Sequence, residues 1–555
     1  MFNPPRKISP LAISLILLAL VWGIFLLAQP TEQLLGFTED DGFYYLKIAQ
    51  NIARGNGPSL DGVNPTNGFH PLWQIMLVPI AWLSGDKPEL MLHIIFALQL
   101  LLLSLSMFCV ARFAQRTWGR LSTGIACAVF LLPRSLSFFF SMMEPSILVF
   151  LCSVYLLWGE KHSASLFHPQ KPVWEDFESG VFLALIFLAR LDAGLLGLCY
   201  LGILLVRWFV SKCSSPARFL AKCALVITPI IILSFPYLLY NYITFGHLLT
   251  ISSAIKHQNI IAWSEKGELI TDLPEYFFAA VGITIWLIYR LIRRLKQSYL
   301  TVGGNSASAY PLFIILFALA GLLRYLDGLF FTDLQINNMG YSLLLLPSAL
   351  LVANFGNRLQ RMGRGFGWKA WGFLASALLL IIILAMSFWG NFRAYQNNQL
   401  CWYSRSYQSA LWANQHLPDD AVVGMNDAGI FAYFCERRVV NLDGLVNNYQ
   451  YQEILRAGKF TQYMQTQGIN YIADVALYSD GLPTEGQYNN YEYLVVSRLY
   501  RLPSALILFN DADEVYRSEG FPASNGASGA VFIWRMGKET PILPISAEDL
   551  ALLTD

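Results

Sequence analysis

Charge is what this sequence has least of. Asp, Glu, Lys and Arg together make up 14% of 555 residues, whereas 55% are hydrophobic, and long stretches carry almost no charged residue. A soluble globular chain holds about a quarter charged residues, so this composition excludes a single soluble domain and describes a polytopic membrane protein with one soluble part. The formal net charge of +1 gives no reason to expect nucleic acid as a partner. None of the eight cysteines stands at metal-ligand spacing, and six (Cys109, Cys127, Cys152, Cys199, Cys213, Cys223) fall in or beside apolar runs, where a thiol behaves as a small hydrophobe. Only Cys401 and Cys435 are placed to form a disulfide, and only in an oxidising compartment. A glycine-rich strand-to-helix phosphate loop is missing, a defensible Ser/His/Asp order is missing, and no internal repeat of the transporter kind is visible.

What is there is a succession of apolar spans. Arg6 and Lys7 precede a run from Leu11 to Ala28 that is longer than a signal-peptide core and lacks a small-x-small cleavage site, which describes an uncleaved signal anchor. The positive-inside rule then puts the N-terminus in the cytoplasm and the next loop, 30–70, outside. Further spans are expected at 71–85, 88–111, 121–140, 145–159, 179–206, 219–243, 273–290, 309–330, 339–354 and 370–390, about eleven in all, which leaves the C-terminal part outside. Three basic connectors agree with this count: Arg207, Lys212 and Arg218; Arg290, Arg293, Arg294 and Lys296; Arg358, Arg361, Arg364 and Lys369. One does not. Arg112, Arg116 and Arg120 would lie outside, an inconsistency that a re-entrant span between 71 and 206, or a division of 179–206 into two short helices, would address.

From 395 to 555 the pattern is soluble. A helix is expected around Ser404 to His416, then strands at 421–424, 439–442, 471–475, 505–509 and 531–534. This is a small α/β domain on the outer face whose plain role is to cover a site or shape an acceptor groove; residues 1–394 form the membrane domain.

The loop 30–70 is the most informative stretch. It holds Glu39, Asp40 and Asp41, followed by a segment in which Tyr45, Ile48, Ala49 and Ile52 recur at helical spacing while Lys47, Gln50, Asn51 and Arg54 repeat it on the other side. The expectation is an amphipathic helix lying flat at a membrane surface. Asp40 and Asp41 either cap that helix or serve a reaction at the edge of the hydrocarbon. Elsewhere, ionisable residues sit where charge is costly. Arg190 and Asp192, two apart, would point in different directions on a helix, which leaves Arg190 for an external anion. Arg324 and Asp327, three apart, are spaced to neutralise each other. Glu144 at a span boundary is either a helix-start acid or a site residue, His70 before Pro71 is either interfacial or functional, and Lys256 falls in an outer loop.

The string Asp40-Asp41-Gly42-Phe43-Tyr44-Tyr45, with Asn64-Pro65-Thr66-Asn67-Gly68-Phe69-His70-Pro71-Leu72-Trp73, resembles the first outer loop of the GT-C superfamily of integral-membrane glycosyltransferases. In its aminoarabinose and protein O-mannosyl transferase branch an Asp is followed by Tyr at +4, Ile at +7 and Ala at +8; Asp41, Tyr45, Ile48 and Ala49 match. The second acid is Asp where that branch has Glu. The resemblance implies transfer of a sugar from a polyprenyl-phosphate donor to an acceptor hydroxyl of a glycan, lipid or protein on the outer face of a bacterial plasma membrane, with inversion. Asp41 is then the base, with Asp40 orienting it; Arg190, Arg324, His70 and Lys256 are candidates for the donor phosphate, Glu144 and Tyr45 are further candidates, and a divalent metal (Mg or Mn), if any, would sit on Asp40 and Asp41. The alternative is a lipid-linked glycan transporter or flippase, or a glycan-assembly protein without transferase activity.

Overall fold

The computed structural model describes residues 8–167, 173–211, 215–258, 274–298, 310–331, 338–365, 369–397, 402–478, 491–500, 502–510, 512–522, 528–537 and 540–544. The protein is a helical membrane bundle carrying an α/β domain at one end. Among the described residues seven helices are long and apolar enough to cross a membrane on their own, eight if the bent pair Arg120–Val129 and Pro133–Phe140, which meet at 63°, counts as one span.

Contacts sort the helix ends into two sets, one beside the loop 30–70 and one opposite. Pro10–Leu27 runs from a far end, where Leu11 reaches Gly124, to Phe25, which packs on Tyr395. The helix Pro71–Ser84 differs from expectation. It begins at His70, yet the turn after it returns to the same end: Asp86 pairs with Arg54 at 2.7 Å, the Pro88 carbonyl accepts from Tyr433, and Glu89 accepts from Tyr407. At 1.5 Å per residue its 14 residues are also too short for a hydrocarbon core about 30 Å thick. Pro88–Thr117 therefore starts at the loop end and carries Arg112 and Arg116, with Arg120 at the start of the next helix, to the far end, where Arg116 pairs with Glu160 at 2.9 Å.

The second difference lies at 190. The apolar run 179–206 is two helices, Trp174–Ala189 and Gly194–Ser211, separated by an extended Arg190 (φ −155°, ψ 120°) and a 3-10 turn at Leu191–Ala193. Relative to the eleven expected spans one crossing is lost here and one gained, while among the described residues seven helices, or eight with the bent pair, meet the length and apolarity a crossing needs. The basic connector that did not fit now joins the others at the far end.

In the C-terminal domain, β1 (Val422–Met425), β2 (Arg438–Asn441) and β3 (Tyr471–Tyr478) are parallel, in the order β2-β1-β3, and β3 continues antiparallel into β8 (Ser528–Arg535) and β6 (Glu514–Arg517). A short β7 (Phe521–Pro522) pairs with β8. A second sheet, β4 (Tyr491–Ser497), β5 (Leu502–Phe509) and β9 (Ile542–Pro544), is antiparallel. The expected helix is Trp402–His416. Cys435 is a buried free thiol, and Cys401 lies outside the described residues.

The helix Asp40–Ala53 does not lie on a lipid surface. Ten of its fourteen residues are buried, Gln50 and Asn51 included, because its polar stripe meets protein in place of water. The Lys47 ammonium donates to the Cys435 carbonyl at 3.1 Å, and Asn51 donates to the Ser59 and Leu60 carbonyls at 2.8 and 2.9 Å. The loop helix is thus clamped between the bundle and the C-terminal domain.

Candidate active site

Successive residues on an α-helix diverge by about 100°, and the two acids at the start of Asp40–Ala53 go to different places. The next residue, Gly42, lies so close to the turn 141–142 that a Cβ would stand 2.3 Å from the Ser141 carbonyl oxygen; this approach brings the helix start against the segment holding Glu144. Asp40 lines the edge of the same cavity as Asp41 but gives its carboxylate to the C-terminal domain. Its carboxyl oxygens accept from the Gly429 and Ile430 amides at 2.9 and 2.8 Å, satisfying free donors at the start of the helix Gly429–Phe434. Burial pushes this carboxyl well above the ordinary carboxylate range, against the pull of the Ile430 amide. Beside it the Tyr44 hydroxyl accepts from the Ala428 amide at 2.9 Å and donates to Asp443 at 3.1 Å. Asp40 thus caps a helix of the other domain, a use neither expectation for it foresaw.

Asp41 faces a cavity of about 340 Å³ lined also by Glu39, Tyr45, His70, Glu144, Arg190, Asp192, Ser252, Ser253, Lys256, Arg324, Asp327, Trp402, Tyr403, Asp427, Leu445 and Val446. Every sequence-derived candidate is therefore brought to one place. Their partners differ from expectation. Because the chain breaks at Arg190, the Arg190 guanidinium reaches Asp192 at 2.9 Å, contrary to the helical argument that separated them, and also reaches Glu144 at 2.5 Å. Arg324 pairs with Asp327 as expected and with Asp192 as well, both at 2.9 Å. Glu144 is fully buried; burial raises its carboxyl, but His70 and Arg190 outweigh that and the net shift is downward. His70 accepts from the Leu191 amide through Nδ1 at 3.3 Å, which leaves the proton on Nε2, 3.6 Å from Glu144. Burial pulls this imidazole below its ordinary value. Arg190, Arg324 and His70 thus belong to a lattice with three carboxylates rather than standing as isolated cations.

Lys256 is not on a solvated loop. It sits on the helix Ile251–Gln258 with its ammonium 3.6 Å from Asp41. Behind that helix an apolar groove of about 850 Å³, lined by Leu183, Phe187, Leu198, Ile231 and Phe235, shares Asp192, Ser253 and Asp327 with the polar cavity. Tyr45 is buried, and its hydroxyl oxygen accepts from the His70 amide at 3.3 Å.

Asp40 and Asp41 do not offer a divalent metal two free carboxylates, since Asp40 is engaged through both oxygens. Among the described residues no group of three or more His, Cys, Asp or Glu is arranged to hold one. The sequence reading missed Asp427, Trp402 and Tyr403, all supplied by the C-terminal part. Asn426-Asp427-Ala428-Gly429 directly after a strand was the available signal, since ligands of α/β sheets gather at the carboxyl ends of parallel strands.

With this geometry in place, comparison with known proteins is descriptive. Residues 392–519 match a family described as a domain of unknown function (DUF8728). No curated protein matches the chain. The structure is similar to the archaeal oligosaccharyltransferase AglB from Archaeoglobus fulgidus, in complex with an inhibitory peptide and a dolichol-phosphate, at 9% identity and a TM-score of 0.49 over 83% of this chain and 69% of that one. It is also similar to ArnT from Cupriavidus metallidurans bound to undecaprenyl phosphate, at 12% identity and a TM-score of 0.45 over 87% and 96%. At these scores the likeness describes the chain without bearing on its chemistry, which has to be read from the site.

Proposed function

We propose that this protein is a membrane glycosyltransferase that moves a sugar from a polyprenyl-phosphate donor to an acceptor hydroxyl. The observation that carries the reading is the junction of two unlike spaces, a polar cavity holding Asp41 and an apolar groove in the bundle, which share Asp192, Ser253 and Asp327. Such a junction suits an amphiphile whose tail lies among helices and whose phosphate and sugar enter the polar side. With the basic connectors in the cytoplasm, the cavity opens on the outer face of a bacterial plasma membrane.

In the resting site the Lys256 ammonium stands against the Asp41 carboxylate. An incoming lipid phosphate draws that ammonium toward itself, with Ser252, Ser253 and the guanidinium edges of Arg190 and Arg324 behind it. Asp41 is then free to take the proton of the acceptor hydroxyl as its oxygen bonds to the anomeric carbon. The bond from that carbon to the phosphate oxygen breaks, and its electron pair leaves on the lipid phosphate, where fixed cations stabilise it. One displacement inverts the anomeric centre.

Single-turnover transfer in detergent, with a polyprenyl-phosphate sugar in one arm and the matching nucleotide sugar in the other, tests the reading. Consumption of the lipid-linked donor alone is expected. Equal use of the nucleotide sugar, or no use of either, overturns it.

A further inference from the structure

The C-terminal domain meets the cavity through a particular edge of its sheet. Strands β2, β1 and β3 are parallel, and three aspartates stand at or beyond their carboxyl ends: Asp443 after β2, Asp427 after β1, and Asp474 in β3 one residue past the last pairing with β1, Met425 with Ala473. In α/β sheets this edge is where ligands bind. Here it points at the bundle, over the start of the loop helix.

Two of the three aspartates are occupied. Asp443 accepts from Tyr44, from the Asp427 amide at 3.1 Å and from the Leu445 amide at 2.7 Å. Asp474 accepts from the Val475 amide at 2.7 Å and from Asn426 at 3.5 Å. The Asp427 carboxylate makes no hydrogen bond among the described residues, is exposed, and lines the cavity along with Asp41. Its backbone stands at φ +36°, in the left-handed region, where only Met142 joins it among the described non-glycine residues. Asp and Asn tolerate that region better than other residues with side chains, and glycine tolerates it best. Strain held at a cavity wall is a recurrent mark of a working position. The same cavity is lined by Trp402, Tyr403 and Glu39, and the Arg498 guanidinium stands near enough to act on the charges of both Asp427 and Asp443.

Resting on the transferase reading above, we infer that Asp427 positions the acceptor: its carboxylate takes a hydrogen bond from an acceptor hydroxyl or amine neighbouring the one that attacks, and with Glu39 and Asp41 it selects uncharged or amine-bearing sugars over anionic ones. The C-terminal domain is thereby the acceptor-reading part of the enzyme. Asp427 acts through hydrogen bonding and charge, and Asp41 keeps the proton transfer.

The full-length protein in detergent, supplied with a panel of undecaprenyl-phosphate hexoses and pentoses, is assayed with three soluble acceptors: an alkyl hexoside, an alkyl amino-hexoside and an alkyl hexuronide. Transfer to water is followed in parallel. Wild type is expected to use the first two at least tenfold better than the uronide. Asp427→Asn and Asp427→Gly, both compatible with the backbone angle, should raise the acceptor KM tenfold or more and narrow the preference against the uronide. Donor KM and the rate of transfer to water should stay within twofold, and the melting temperature should not fall, since glycine relieves the strain. An unchanged acceptor KM in Asp427→Gly overturns this inference and leaves the transferase intact, and so does an equal loss of transfer to water. Donor consumed by wild type with water alone, whichever glycoside is present, also overturns it. No consumption of any lipid-linked sugar by wild type removes both readings.

Discussion

Asp40→Ala separates assembly from chemistry. The change removes both oxygens that accept from the Gly429 and Ile430 amides while leaving Asp41 in place on the next position of the helix. A buried amide without a partner costs about 1–3 kcal/mol, so the pair weakens docking of the domain by roughly 2–6 kcal/mol. At the lower bound the docked population falls relative to the undocked one by a factor of about 30, by the same conversion that makes 1.4 kcal/mol tenfold. The Lys47, Tyr44 and Tyr433 contacts still oppose release. Gly429→Ala attacks the same contact from the other side, since its methyl would stand 2.0 Å from the Asp40 carbonyl oxygen and 2.7 Å from Oδ2. Asp40→Asn keeps one acceptor and should lie between wild type and Ala. The assay is hydrogen exchange of the peptide covering 426–434, with turnover measured on the same preparation. Protection and turnover should fall together in Asp40→Ala and Gly429→Ala. If Asp40→Ala loses turnover with full protection at 429 and 430, Asp40 takes part in the reaction and the latch argument is wrong; if it keeps both, the contact holds nothing.

Asp41→Asn should lower turnover roughly a hundredfold or more while leaving the 426–434 peptide protected; near-normal turnover returns Asp41 to a structural role. Arg190→Ala leaves Glu144 buried with its chief counter-charge removed, a loss that costs about 3–5 kcal/mol, and should lower the melting temperature, whereas Lys256→Ala should spare stability and raise the donor KM; the reverse pattern would exchange their roles. Asp474 has its carboxyl pushed up to about 7 by burial, so its contribution to stability is full below about pH 4 and is lost progressively as pH rises from there through 7; Asp474→Asn should match wild type near pH 4 and melt higher at pH 8, and equal melting curves at both values would refute the shift. Cysteines placed at Arg116 and Arg218 should label from the same side of sealed vesicles and one at the exposed Gln450 from the other; Arg116 labelling with Gln450 would undo the reassigned passes.

The loop helix and the basic connectors were legible because each rests on local pattern. Period 3.6 marks the helix, and Lys and Arg mark one set of ends. Hydropathy failed in two places for one reason, that it counts apolar length and not direction. Pro71–Ser84 is apolar yet begins and ends at one side, and the break at Arg190 is hidden in a continuous apolar run. Side-chain partners were legible only where the backbone was regular. Arg324 and Asp327 met as a helix requires, whereas Arg190 met Asp192 because the helix stops between them. Asp40 and Asp41 looked alike in sequence, and nothing local tells which faces the cavity; that depends on amides 389 positions away. The carboxyl-edge aspartates depend likewise on strand order, which periodicity does not contain.

The latch has a consequence for the order in which the protein is made. The segment with Asp41 leaves the ribosome early, and the amides that hold its neighbour Asp40 follow 389 residues later. Until then Lys47 lacks its Cys435 partner and the cavity lacks the wall bearing Trp402, Tyr403 and Asp427. A half-made chain in the membrane therefore carries Asp41, the proposed base, without the surface that completes its cavity. On the transferase reading proposed above, a chain interrupted before the segment bearing Gly429 and Ile430 is expected to be silent toward donor.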